Sequence, residues 1–183
     1  MSSIVSRECG SREPPRKPDG FFVRLLIAAV GRLKAGPERE LLARYIERAN
    51  ASGKALALSP LDIAEIPEST AQATAKRKAD EAKALLAATP EKAKLIALDE
   101  RGKNISSEDF AKKLARYRDD GAACTALLIG GADGLDESLR KKADLTIAFG
   151  AATFPHQIVR ILLAEQIYRA VTILSGHPYH RGG

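Results

Sequence analysis

The chain has 183 residues, of which 45 % are hydrophobic and 28 % are charged, and its formal net charge at pH 7 is +6. This length suits one compact domain, and the composition excludes an intrinsically disordered chain. No apolar run reaches the ~20 residues that a transmembrane helix needs, and the first residues lack the apolar core of a signal peptide, so we expect a cytoplasmic protein without a membrane anchor.

Basic side chains are concentrated in the N-terminal third of the chain. Residues 1–60 contain 11 Lys and Arg against 6 Asp and Glu, whereas residues 61–120 contain 12 of each. Such an excess favours an anionic partner, with nucleic acid as the first candidate. The longest basic run, Lys-Arg-Lys at 76–78, lies in an alanine-rich stretch of helical composition. We expect it to form a solvated helix face rather than a specific contact.

The cysteines and histidines show no metal-ligand pattern. Cys9 and Cys124 have neither the spacing of a zinc site nor the number needed for a disulfide framework, and Cys124 is expected to be a small core residue. The three histidines, His156, His177 and His180, fall within the last 28 residues, without acidic or cysteine neighbours at ligand spacing. We therefore expect no bound metal.

The first half of the chain predicts an extension followed by two strands and two helices. Residues 1–21 contain several Pro and Gly and no periodicity, so they are predicted to be a flexible N-terminal extension. Residues 22–30 are an apolar run that predicts a buried strand, and Pro37 begins an amphipathic helix. A second strand is predicted within 56–66, and a helix over 70–88, where no Gly or Pro interrupts the sequence.

The next segments continue the alternation of strand and helix. Residues 94–98 predict a third strand that ends in a polar turn at 99–104. Ser106 and Ser107 can cap a helix in which aromatic and leucine side chains recur at helical spacing. Residues 125–129 predict a fourth strand, which a glycine-rich segment ends.

The last segments complete an α/β pattern. Residues 136–142 predict a short helix, 145–149 a fifth strand, and 156–174 a long helix. Strands that alternate with helices indicate a parallel sheet covered by helices on both faces. The fold class is therefore α/β, with residues 22–183 forming one domain.

The carboxyl ends of three predicted strands are candidates for a ligand site, because open α/β sheets bind ligands at that edge. They are Leu98 with its following turn, the pair Gly130 and Gly131, and the segment 149–156. The Gly-Gly-x-x-Gly spacing is neither the dinucleotide fingerprint nor a phosphate-binding loop. Taken alone, it is also explained by a tight turn between strand and helix.

The last predicted helix is apolar around most of its circumference. Such a helix is buried on several sides, and in so small a protein this predicts packing against a second subunit. Its charged residues Arg160, Glu165 and Arg169 are costly to bury unless they are paired. Glu165 and Arg169 are four residues apart and can form an ion pair, which could serve structure alone.

Four segments are specific enough in combination to indicate a family. They are LLIGGADGL at 127–135, TFPHQIVR at 153–160, LAEQIYRA at 163–170 and HPYHR at 177–181. In this order and spacing, they resemble the bacterial large-subunit rRNA pseudouridine N3-methyltransferases, a family of the SPOUT superfamily. The start VRLLIAAVGRLK at 23–34 is also similar to this family, and the resemblance covers roughly residues 22–183.

The resemblance implies a sheet whose C-terminal part forms a deep trefoil knot, which is a rare feature among folds. It implies a homodimer that uses S-adenosylmethionine (SAM). The implied reaction is methylation of N3 of a pseudouridine in 23S ribosomal RNA, on the assembled 70S ribosome and at the subunit interface.

The resemblance also implies which residues form the site. Ala152 stands where the family often has a larger side chain, such as Met. The implied cofactor-binding residues are Leu98, Gly130, Phe149, Gly150, Ala151, Ala152, Thr153 and Phe154. The implied catalytic candidates are His156, Glu165, Arg169, Tyr179, His180 and Arg181, without an assignment of the base.

Three other functions stay open at this stage. The chain could be a SPOUT methyltransferase with another RNA target, or a catalytically idle module that binds RNA or the ribosome, because a fold does not fix a function. It could also be a nucleotide-binding α/β domain. Binding of SAM and methyl transfer to ribosomes distinguish these alternatives.

Overall fold

A computed structural model describes residues 22–179. The predicted flexible extension at 1–21, together with His180 and Arg181, lies outside the described residues. The elements in chain order are β1 (Arg24–Val30), α1 (Pro37–Gly53), a short 3₁₀ turn (Lys54–Leu56), β2 (Leu61–Ile66), α2 (Thr74–Ala87), β3 (Lys94–Asn104), α3 (Ser107–Asp119), β4 (Cys124–Ile129), α4 (Glu137–Lys142), β5 (Leu145–Ala148) and α5 (His156–Ser175).

The five strands of the described part form one sheet in the order β2-β1-β4-β3-β5, and every neighbouring pair is parallel. Side chains of β1 alternate between the two faces: Leu25 and Ile27 belong to one apolar cluster, and Leu26 and Ala28 to the other. The strand β1 is almost wholly buried because both faces are covered. The predicted parallel α/β sheet is confirmed, and the trefoil knot stays a prediction.

Helices cover the two faces unequally. The helices α1, α3 and α5 pack together on one face, where Leu42, Phe110 and Leu163 join the same apolar cluster. The helices α2 and α4 contribute Leu85 and Leu139 to the cluster on the other face. Because α5 lies between α1 and α3, its own chain covers most of its circumference.

That packing changes the interpretation of the apolar α5. Among the large hydrophobic residues that the structure describes on α5, only Ile158 is exposed, with 37 % of its surface accessible. The apolar sequence of α5 is therefore largely explained within one chain and does not by itself require a second subunit. The homodimer stays a prediction.

Residue types at two helix ends explain where α3 begins and where α5 ends. The hydroxyl of Ser106 accepts a hydrogen bond from the backbone N–H of Asp109 at 3.0 Å and caps α3. Gly176 ends α5 with φ of 71°, and the N–H of His177 donates to the carbonyl of Thr172 at 2.9 Å. No helix of the described part is long and apolar enough to cross a membrane.

The prediction of a polar turn at 99–104 was wrong, because β3 continues to Asn104. Leu98 and Lys103 both lie opposite Ile147 of β5, so the intervening residues form a bulge between two stretches of pairing. A Cβ atom on Gly102 would lie 2.4 Å from the carbonyl carbon of Ile147, so only glycine allows this approach. Residues 99–104 have the composition of a turn. They form part of a strand because the long-range pairing with β5 outweighs their local preference.

Candidate active site

A cleft of about 300 Å³ opens beside the β3 bulge, which begins after Leu98, and at the carboxyl ends of β4 and β5. It lies at the edge of the sheet where the sequence predicts a ligand site, and the three predicted strand ends meet there. Seven of the eight predicted cofactor-binding residues line it, and Ala151 is the exception. The seven are Leu98, Gly130, Phe149, Gly150, Ala152, Thr153 and Phe154.

The glycine-rich segment after β4 forms one wall of the cleft as a tight turn. The N–H of Gly134 donates to the carbonyl of Gly131 at 3.0 Å, and these residues form an isolated bridge. A Cβ atom on Gly130 would lie 2.7 Å from the carbonyl carbon of Gly134. The segment therefore forms a tight turn and is also part of the cleft wall. Position 130 must be glycine because the backbone of Gly134 lies too close for a side chain.

Two side chains of α2 hold this glycine-rich segment in place. Arg77 donates through Nε to the carboxylate of Asp133 at 2.8 Å, and this bond lowers the pKa of Asp133. Glu81, 7 % exposed, accepts from the N–H of Ser69 at 3.1 Å and lies against Gly131. Lys78, between them in sequence, lines the cleft. The prediction that 76–78 is a solvated face without a specific contact was therefore wrong for Arg77, which bonds Asp133.

The opposite wall comes from the β3 bulge and from the segment that follows β5. Asp99 accepts from the N–H of Arg101 at 3.0 Å and lies 3.6 Å from Nε of Arg140 on α4. The side chain of Asn104 accepts from the N–H of Gly150 at 3.1 Å. The hydrogen bond from Gly150 joins the 149–155 segment to the end of β3. The sequence did not predict this contact, because it depends on the extension of β3 to Asn104.

His156 begins α5 and lines the cleft. One turn later, Arg160 is fully buried, and its Nη2 donates to the carbonyls of Val30 and of Gly31, the latter at 2.9 Å. Its Nη1 lies 3.3 Å from the carboxylate of Glu65. Burial lowers the pKa of Arg160, and the charge of Glu65 opposes that shift. Arg160 thus fixes the start of α5, and with it His156, against the ends of β1 and β2.

Three of the predicted catalytic candidates form a second cluster near the end of α5. Glu165 accepts from Nε of Arg169 at 2.8 Å and from the hydroxyl of Tyr179 at 3.4 Å. The hydrogen bond to Glu165 raises the pKa of Arg169, and burial is the main cause that raises the pKa of Tyr179 to about 12. The ring of Tyr179 also packs on Tyr168, with ring centroids 4.6 Å apart. The expected Glu165–Arg169 pair is confirmed.

The cluster and the cleft lie at different places along α5. At 1.5 Å per residue, Glu165 is about 13 Å along the helix from His156, and Arg169 about 20 Å. A single chain therefore places His156 in the cleft and the other three described candidates away from it. Among residues 22–179, no group of three or more His, Cys, Asp or Glu side chains could hold a metal ion.

Similarity to known proteins shows the family of the chain. A family described as "Predicted SPOUT methyltransferase" matches residues 23–180. The chain belongs to the SPOUT methyltransferase family.

Two curated relatives of this chain match over nearly their whole length. It is 59 % identical over 159 residues to the ribosomal RNA large subunit methyltransferase H of Xanthobacter autotrophicus, covering 87 % of this chain and 99 % of the relative. It is also 59 % identical to the protein of that name from a Bradyrhizobium species, covering 88 % and 99 %. A solved structure of a probable methylase family protein from Haemophilus influenzae covers 86 % of this chain and 69 % of its own, at 12 % identity and a TM-score of 0.45.

Proposed function

We propose that the protein is a SAM-dependent methyltransferase that methylates N3 of a pseudouridine in 23S ribosomal RNA on the assembled 70S ribosome. The observation that carries this proposal is the 59 % identity to a ribosomal RNA large subunit methyltransferase over 99 % of that relative's length. The matched length covers 87 % of this chain, so the similarity supports a shared activity of the whole protein rather than of one part.

The cleft fits the cofactor. Its volume of about 300 Å³ lies at the lower end of the range for small-molecule sites, ~300–1,000 Å³. The walls combine the backbone of Gly130 and Gly150 with the apolar side chains of Leu98, Phe149 and Phe154, which suits a nucleoside with a thioether chain. When bound, SAM supplies a methyl group already activated by its sulfonium. The residues of the chain then have to bind the nucleoside, exclude water and align the accepting nitrogen.

The accepting nitrogen must lose its proton, so the site needs a base or a stabiliser of the resulting anion. His156 is the described candidate that lines the cleft. Glu165 is engaged by Arg169 and Tyr179, which favours a positioning role. Because its pKa is about 12, Tyr179 stays protonated at neutral pH and acts as a hydrogen-bond donor rather than as a base. Arg169 and Arg181 suit contacts with phosphate or with an ionised uracil ring.

The proposed active form is a homodimer in the cytoplasm, where ribosomes are its substrate. A second subunit would let the C-terminal cluster and tail of one protomer reach the cleft of its partner. The separation along α5 supports this, because one chain keeps the cluster about 13–20 Å from His156.

Methyl transfer from radiolabelled SAM tests the proposal. We expect 70S ribosomes from a strain that lacks the modification to accept about one methyl group each, and free 23S RNA and tRNA to accept far less. Mass spectrometry of RNA digests should place the label on N3 of a pseudouridine. Labelling of tRNA in preference to ribosomes would overturn the target, and SAM binding without transfer to any RNA would indicate an idle binding module.

A further inference from the structure

The helix α2 supplies the cleft with one cation that nothing in the described chain neutralises directly. Lys78 is half-buried, lines the cleft, and makes no hydrogen bond or ion pair with any residue from 22 to 179. Its neighbour Lys76 differs in every respect: it is exposed, and its Nζ lies 2.7 Å from the carboxylate of Asp80. The two lysines stand two residues apart and thus on different sides of the helix.

The position of Lys78 is fixed by the residues around it. Arg77 donates to the backbone carbonyls of Ala71 and Gln72 at 3.0 and 2.7 Å, and to Asp133 across the cleft wall. Glu81, one turn later, is buried against Gly131. With both neighbours anchored, the helix presents Lys78 to the glycine-rich turn that lines the cleft.

Two carboxylates interact electrostatically with Lys78, and other groups engage both of them. Asp133 is bonded by Arg77, and Asp136 accepts from the N–H of Ser138 at 2.8 Å, so each has a closer partner than Lys78. Across the cleft, Asp99 is paired with Arg140 at 3.6 Å. The ammonium group therefore keeps its three N–H donors for a ligand in the cleft.

We propose that Lys78 is an oxyanion-binding residue of this cleft. A lysine ammonium is a compact charge that binds carboxylate or phosphate without a fixed geometry. Two parts of the proposed reaction carry such a group: the amino-acid carboxylate of SAM, and the phosphates of the RNA. This inference rests on the proposed function for its ligands, and the experiment separates the two sources.

Calorimetry with two probes tests whether Lys78 binds the amino-acid carboxylate of SAM. S-adenosylhomocysteine (SAH) carries the amino-acid carboxylate, whereas 5′-methylthioadenosine keeps the nucleoside thioether and lacks it. If Lys78 binds the cofactor, Lys78→Met weakens SAH binding about tenfold and changes methylthioadenosine binding less than about twofold. Lys78→Arg restores most of the SAH affinity, because it restores the charge. Lys76→Met is the matched control and leaves both affinities unchanged.

Cosedimentation with 70S ribosomes at several salt concentrations tests whether Lys78 binds an RNA phosphate. If Lys78 meets a phosphate, Lys78→Met keeps the wild-type SAH affinity, weakens ribosome binding about tenfold and reduces its dependence on salt. Unchanged binding of both SAH and ribosomes overturns the inference. Equal weakening of SAH and methylthioadenosine also overturns it, since that indicates a damaged cleft. Neither assay measures methyl transfer, so a protein that fails to methylate ribosomes refutes the proposed function without deciding the role of Lys78.

Discussion

Arg160 is fully buried and binds three groups at the ends of β1 and β2. Arg160→Met leaves the carbonyls of Val30 and Gly31 without their donor and Glu65 without this cation. We expect the free energy of unfolding to fall by about 3–5 kcal/mol, the usual cost of breaking a buried charged network. Urea denaturation measures the change.

The control for Arg160 is another arginine with an ion pair. Arg24 pairs with Asp62 at 2.8 Å, but both side chains are more than 40 % exposed. Arg24→Met should cost no more than about 1 kcal/mol. Equal losses in the two variants would show that the bonds of Arg160 contribute no more than an exposed pair.

Tyr117 carries a buried hydroxyl without a hydrogen-bond partner among the described residues. At pH 8, Tyr117→Phe should leave the free energy of unfolding unchanged or raise it by up to about 1 kcal/mol, because it removes an unsatisfied group and keeps the ring. Lys113 lies 4.9 Å from the centroid of that ring, and this contact survives the change. A loss above about 1 kcal/mol would show that the hydroxyl has a partner.

The same substitution should alter the stability of the protein in alkali. Burial raises the pKa of Tyr117 to about 12 in the folded chain, against about 10 for an unfolded tyrosine. Between these values the unfolded state releases the proton and the folded state keeps it, so stability falls as pH rises from about 10 to 12. The Phe variant lacks this contribution, and its advantage over the wild type in urea denaturation should grow from pH 8 to pH 11. A constant difference would contradict the shift.

The turn after β4 decides the shape of the cleft. Gly130→Ala places a Cβ atom 2.7 Å from the backbone of Gly134, so the turn must move. We expect SAH binding, measured by calorimetry, to weaken at least about tenfold. Gly121→Ala is the control: its φ of 81° costs about 1 kcal/mol of strain, but no atom lies within 4 Å of the added Cβ. An unchanged SAH affinity in Gly130→Ala would exclude this turn from the binding site.

Elements that depend on local pattern could be predicted from the sequence, and those that depend on long-range contacts could not. Alternating strands and helices, the cap at Ser106 and the stop at Gly176 follow from residue types within a few positions. Leu98 and Gly130 could be placed in one site because each was predicted to end a strand and parallel strands end at the same edge; β3 in fact continues past Leu98. The extension of β3 depends on pairing with β5, and the contact of Arg77 with Asp133 joins residues 56 positions apart. No local pattern indicates either.

The candidate residues of one chain are divided between two places on α5. His156 lies in the cleft, whereas Glu165, Arg169 and Tyr179 form a cluster further along the helix. The ring of Tyr179 on Tyr168 holds the start of the tail against its own chain. A dimer in which the tail acts in trans would unite the two groups, and this arrangement can be distinguished from one in which each chain works alone.

Two inactive variants should restore activity to each other if the tail acts in trans. Gly130→Val disables the cleft of one chain, and deletion of residues 180–183 removes the tail beyond Tyr179 from the other. We expect each homodimer to fold and to lose ribosome methylation, with SAH binding kept in the deletion variant alone. A heterodimer, isolated by two different affinity tags after coexpression, contains one intact cleft facing one intact tail and should show about half of the wild-type activity.

If cleft and tail of the same chain cooperate, both sites of the heterodimer are damaged and it stays inactive. Light scattering that gives a monomer for the wild type would contradict both arrangements of a dimer, and full activity of the deletion homodimer would remove the tail from the substrate site.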